Sequence, residues 1–107
     1  MLDITYCIVL STCGSQEEAD KIAGVLLENH AAACVQMKPI VSLYHWKGAI
    51  ERSDEIQLII KTTNALYATV ERLIRENHSY QVPQIVQIPV IAGLPEYLGW
   101  IIEETNR

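Results

Sequence analysis

An α+β fold is what this sequence predicts: a four-stranded antiparallel sheet with helices on one side, in the order βαββαβ, followed by a third helix. Three observations carry it. A β-rich opening segment runs into a helix-start signal at Ser15, a long strand pattern folds back on itself at Lys47-Gly48, and a helix-periodic stripe separates two later strand patterns.

Each element has its own reason. Residues 4–12 are rich in Ile, Thr, Tyr, Val and Leu, types that suit a mostly buried strand, and Cys13-Gly14 ends it. Ser15-Gln16-Glu17-Glu18 supplies a capping box, in which the serine oxygen accepts from an orphan backbone N–H while Glu18 reaches back. The helix that starts there sets Ala19, Ile22, Ala23, Leu26 and Leu27 on one face and fades at Glu28-Asn29-His30. Residues 31–46 return to a strand pattern; Lys38-Pro39 within it implies an edge position, a bend or a bulge, because proline offers no ladder donor. Lys47-Gly48 makes the hairpin turn. The partner strand, residues 50–62, turns Ile56, Leu58 and Ile60 to one side and Gln57, Ile59 and Lys61 to the other. Thr63 or Asn64 caps a second helix with the stripe Leu66, Val70, Leu73 and Ile74. Residues 78–84 form a loop closed by Pro83, and residues 85–91 form the fourth strand. Pro95 opens a third helix with Leu94, Tyr97, Leu98, Ile101 and Ile102 toward the core and Trp100 roughly opposite. The sum is a ferredoxin-like sandwich with an additional C-terminal helix.

One face of such a sheet has no helices. The residues expected on it are Thr5, Cys7, Val9, Gln57, Ile59 and Lys61, too apolar in part to stand in water, so the face predicts association with copies of the same chain. Trp100, off the core side of its helix, points to a subunit contact or a ligand pocket.

A length of 107 residues, half of them apolar and about a fifth charged, is that of one folded domain spanning residues 1–107. A net charge of -5 with eight scattered basic residues argues against nucleic acid and anionic membranes as partners. The opening Met1-Leu2-Asp3-Ile4 lacks a basic, then apolar, leader, and no apolar run is long enough to span a bilayer. Three cysteines, Cys7, Cys13 and Cys34, make an odd count without Cys-x-x-Cys spacing, which argues against a disulfide framework and for a reducing, cytoplasmic compartment.

Five stretches then become specific. Ala32-Ala33-Cys34-Val35, Ser42-Leu43-Tyr44-His45-Trp46-Lys47-Gly48, Ile60-Lys61-Thr62, His78-Ser79-Tyr80-Gln81-Val82-Pro83-Gln84 and Tyr97-Leu98-Gly99-Trp100-Ile101 resemble the CutA family in order and spacing. The resemblance runs from the first strand to the last helix. It implies a ferredoxin-like protomer, a homotrimer with three sheets facing a common axis, a cytoplasmic location and a link to tolerance of divalent metals including copper. The implied assembly is also similar to the trimeric PII signalling proteins, which bind small ligands in clefts between subunits. The chain departs from the family pattern at Ser79, where proline is usual, and at Gln81 and Gln84, where glutamates are usual. Two carboxylates are thereby absent from the loop, and a glutamine carbonyl is a poor substitute for a borderline cation.

The metal-binding inventory is Cys7, Cys13, Cys34, Met37, His30, His45 and His78, none at ligand-type spacing. Cys7 and Cys34 read as small core fillers, and His30 and His45 as ordinary surface or edge residues. His78, in a loop motif and off any apolar stripe, is the first metal candidate. Cys13 is the second, since the resemblance suggests a metal-linked cysteine near this strand end, with Ser11 as the other position for it. Copper or another divalent ion is the expected ligand, with no obligatory cofactor. For a small anionic ligand, Tyr44, Trp46, Lys61, Tyr80, Tyr97 and Trp100 combine aromatic walls with one cation, although trimer packing favours the same residue types. Catalysis is not expected: no nucleophile has an identifiable base and orienter, and the Ser11–Ser15 turn has no nearby arginine to hold a transferring group.

Overall fold

The computed structural model describes residues 5–106. Ile4 and the opening Met1-Leu2-Asp3, on which the leader reading rests, lie outside the described residues. Strand β1 (Tyr6–Cys13) leads into helix α1 (Gln16–Glu28), then come the paired strands β2 (Cys34–Trp46) and β3 (Ala49–Thr63), helix α2 (Tyr67–Asn77), strand β4 (Ile85–Val90) and helix α3 (Pro95–Thr105). The strands form one antiparallel sheet in the order β2-β3-β1-β4. This is the expected α+β order, and no helix among the described residues is long and apolar enough to cross a membrane.

Local chemistry sets the turns. The Ser15 hydroxyl accepts from the Glu18 N–H at 3.2 Å, so α1 starts where the sequence signals it. Only half of the capping box forms, because the Glu18 carboxylate turns inward toward His78. At the other end, His30 takes a φ of 53°, and the N–H groups of His30 and Ala31 donate to the carbonyls of Leu27 and Leu26. This is a Schellman closure with a histidine where glycine or asparagine is usual. Its ring Nδ1 lies 3.1 Å from the Glu104 carbonyl oxygen and ties α1 to α3, a structural task that the sequence alone does not reveal. Lys47 and Gly48 both have positive φ, 48° and 80°, as a tight two-residue hairpin turn demands, and Trp46 pairs with Ala49 across it. Pro39 sits in the edge strand β2, whose register with β3 runs through it without a bulge. No side-chain cap forms at Thr63; a short 3-10 turn over Asn64–Leu66 leads into α2, and the Asn64 Oδ1 accepts from Gln87 Nε2 instead.

The core lies between the sheet and helices α1 and α2. Val9, Leu58 and Ile60 from the sheet meet Ala19, Ile22 and Leu26 from α1 and Val70 and Ile74 from α2, all fully or almost fully buried. Several expectations about faces need correction. Cys7 and Val9 pair with Thr62 and Ile60 and therefore point to the helices, not to the bare face. The bare face carries Ile8 and Leu10 with Lys61 and Ile59 and, from β4, Ile88 and Val86; Thr5 is exposed ahead of the strand. Cys34, opposite Lys61, is only half-buried on that same bare face, so it is not the core filler expected. Leu27 is exposed on α1, and of the expected α3 stripe only Ile101 is buried, with Leu98 half-buried and Leu94 and Ile102 exposed. A 13-residue β2 and a 15-residue β3 carry the hairpin well past the helices, and there Leu43 is 70% and Ile50 71% exposed.

Candidate metal centre

Three separate elements bring the candidate ligands together. β1 ends at Cys13 with the thiol on the helix side, α1 supplies Glu18 from its first turn, and His78 follows α2 in extended conformation at a φ of -98° and a ψ of 139°. Asn77 Nδ2 closes the end of α2 by donating to the Leu73 carbonyl, which fixes where the chain leaves the helix. One ligand atom from each of Cys13, Glu18 and His78 lies within 4.8 Å of the others. Cys13 is completely buried, the His78 imidazole has no solvent exposure, and the Glu18 side chain retains 18%. Ser11, the other position for a metal-linked residue, is fully buried with an Oγ that has no hydrogen-bond partner among the described residues, and it does not join the cluster.

The hydrogen bonds determine the state of the imidazole. His78 Nδ1 accepts from the Tyr80 N–H at 3.1 Å, so the ring proton resides on Nε2, which donates to the Thr12 carbonyl at 2.7 Å. Glu18 Oε1 lies 3.3 Å from the same Nδ1, an ion pair when the ring is protonated and a contact between two acceptors when it is neutral, and, though buried, it has no hydrogen-bond donor among the described residues. A carboxylate oxygen beside a neutral ring nitrogen is unfavourable unless a proton or a metal ion is shared between them. The Cys13 thiol is pushed up to about 11, first by burial and then by the negative charges of Glu18 and Glu55. The same charges that hold its proton favour any cation that replaces it. Glu55, itself nearly buried, accepts from the Tyr80 hydroxyl at 3.0 Å. Burial and that bond push the Tyr80 phenol up to about 12. The Tyr80 ring lies over the His78 ring, with centroids 4.8 Å apart, and its hydroxyl closes over Gly14, where an added Cβ would meet it at 3.1 Å. Outside this lid, Gly14, Ser15, Pro39, Asp54 and Glu55 border an open groove of about 430 Å³.

The remaining candidates divide into separate places. Lys61 Nζ lies 3.4 Å from the Tyr97 hydroxyl and 5.6 Å from the centre of its ring, and the Tyr97 and Trp100 rings are 5.7 Å apart. Lys61 and Tyr97 border a small cleft of about 170 Å³ between β1 and α3. Tyr44 and Trp46 stand on the protruding hairpin, where the Tyr44 hydroxyl lies 2.9 Å from Ser53 Oγ and Trp46 is 57% exposed. Of the six, Tyr80 adjoins the Cys13, Glu18 and His78 cluster. Glu18 and Glu55 are the residues that sequence reasoning missed: Glu18 carries a cap signal that fully accounts for it locally, and only the packing of α1 beside α2 brings it to His78.

The sequence profile described as CutA1 divalent ion tolerance protein matches residues 7–104. Divalent-cation tolerance protein CutA of Archaeoglobus fulgidus is 45% identical over 92 residues, 86% of this chain and 90% of that one. Protein CutA of Mus musculus is 38% identical over 96 residues, which are 89% of this chain and 54% of the longer mouse protein. Among solved structures, that of the periplasmic divalent cation tolerance protein CutA from Archaeoglobus fulgidus superposes with a TM-score of 0.92 at 41% identity, covering 94% of this chain and 98% of the other.

Proposed function

Because the chain belongs to the CutA1 divalent ion tolerance family, we propose that it binds a divalent metal ion, copper among them, at Cys13, Glu18 and His78, and that it acts by binding and not by catalysis. The observation that carries this reading is the buried Glu18 Oε1, 3.3 Å from His78 Nδ1 and without a hydrogen-bond donor among the described residues. The donor set fits such an ion. One thiolate, one imidazole and one carboxylate suit borderline metals such as copper and zinc far better than calcium or magnesium, which prefer oxygen alone. The histidine is already oriented by the Thr12 carbonyl, the arrangement usual behind a metal-ligating imidazole. Glu18 supplies a carboxylate that the Gln81 and Gln84 loop does not.

The working assembly in this reading is a homotrimer. Ile8, Leu10, Ile59, Val86 and Ile88 give the face opposite α1 and α2 an apolar surface, part of it beside α3, and the hairpin adds Leu43, Trp46 and Ile50. A cytoplasmic location is supported by three unpaired thiols. The test is a calorimetric copper or zinc titration under reducing conditions, run beside sedimentation equilibrium. Wild type binds the ion and sediments as a trimer, while His78→Ala stays trimeric and loses binding; equal titrations for the two proteins refute the site. A second reading, a PII-like trimer taking a small anionic ligand, is favoured by Lys61, whose ammonium meets the aromatic Tyr97 beside the small cleft. Thermal stabilisation by an anionic metabolite that persists in chelator, and is lost in Lys61→Ala, supports it.

A further inference from the structure

We propose that Tyr80 is a latch on the metal centre: His78 Nδ1 becomes available to a cation only when the Tyr80 amide releases it, and the Tyr80–Glu55 hydrogen bond opposes that release. The inference rests on the metal reading of Cys13, Glu18 and His78 and adds a regulation of that site.

A neutral imidazole has one ring nitrogen with an open lone pair, and that lone pair serves one partner at a time. His78 Nε2 is committed to the Thr12 carbonyl at 2.7 Å, so Nδ1 is the nitrogen left for ligation, and Nδ1 is the one facing Glu18. The Tyr80 N–H occupies it at 3.1 Å. Ligation and this hydrogen bond are therefore mutually exclusive. Tyr80 is held in place from its far end as well, by its hydroxyl on Glu55 Oε2 at 3.0 Å and by the close fit of that hydroxyl over Gly14. Ser79, Gln81 and Val82 around it are exposed and lie outside helix and strand, so the loop can shift while α2 and β4 stay where they are.

Two states follow. In the closed state the amide sits on Nδ1 and the phenol on Glu55; in the open state the amide has left Nδ1, which already faces Glu18, and the phenol has left Glu55. A ligand shifts such an equilibrium only by its preference for one state, so whatever stabilises the closed state is subtracted from metal affinity. A hydrogen bond to a carboxylate at a half-buried position corresponds to about a tenfold change in affinity.

Tyr80→Phe keeps the ring over His78 and removes only the bond to Glu55. Titrated with zinc under reducing conditions, it is expected to bind about tenfold more tightly than wild type. In the wild-type protein, zinc saturation is expected to shift the Tyr80 amide resonance and speed its hydrogen exchange. A Tyr80→Phe affinity within about twofold of wild type, or a Tyr80 amide that stays unchanged at saturation, overturns the latch. If Cys13→Ser and His78→Ala still abolish binding in that case, the metal reading stands without it; if those two variants bind zinc like wild type, the metal reading fails and the latch with it.

Discussion

Cys7 and Cys13 sit at opposite ends of β1, on the same face, both buried and both with thiols pushed up by burial. Their neighbours differ. At the Cys7 end the polar company is the Gln87 amide, which eases the shift. At the Cys13 end Glu18 and Glu55 press the thiol further up, and a ring nitrogen of His78 lies within 4.8 Å of it. Burial by itself makes cysteine an inert apolar filler. What turns one of two equally hidden thiols into a candidate ligand is the convergence on it of an imidazole and of a carboxylate whose buried Oε1, on Glu18, has no hydrogen-bond donor among the described residues.

The contrast can be broken most forcefully by exchange of sulfur for oxygen at each end. Cys13→Ser is expected to lower zinc affinity by about 100-fold or more, whereas Cys7→Ser leaves it unchanged; equal losses in calorimetry would erase the distinction. Next in size is the pH dependence. Metal binding must expel a proton from Cys13, whose thiol is held at about 11, so affinity rises with pH through the neutral range. The expected slope is about tenfold per pH unit for one released proton, with Cys13→Ser flattening it and Cys7→Ser leaving it intact. Smaller still is Glu18→Gln, which keeps the backbone N–H on Ser15 and so keeps the helix start, but removes the charge. It is expected to weaken zinc binding by about tenfold with little change in the urea midpoint; a large loss of stability would show that Glu18 serves the fold instead.

The same strand also marks what the sequence could convey. Element order, the Ser15 helix start and the Lys47-Gly48 turn were legible because each depends on neighbours a few residues away; for Pro39 the sequence left edge, bend and bulge open, and the structure selects the edge. Which side of β1 meets the helices was not. Alternation along Tyr6–Cys13 is apolar on both faces, so Cys7 and Val9 look as fit for the bare face as Ile8 and Leu10, and only the pairing of Val9 with Ile60 decides it. His78 and Cys13 stood out as a motif residue and a strand-end thiol, yet they are 65 residues apart in the chain numbering. Glu18 stayed hidden for the opposite reason: its local role as a cap was sufficient explanation until the packing of α1 beside α2 turned its carboxylate inward. The helix end at Glu28-Asn29-His30 was legible, but that His30 itself closes it was not, since that task depends on a positive φ that the local sequence does not announce.

X-ray absorption at the zinc edge of the loaded, reduced protein tests the account most directly. It should show one sulfur neighbour together with nitrogen and oxygen donors and the outer-shell scattering of an imidazole, and the sulfur should vanish in Cys13→Ser. A shell of oxygen and nitrogen alone in the wild-type protein, without sulfur or imidazole, would contradict it.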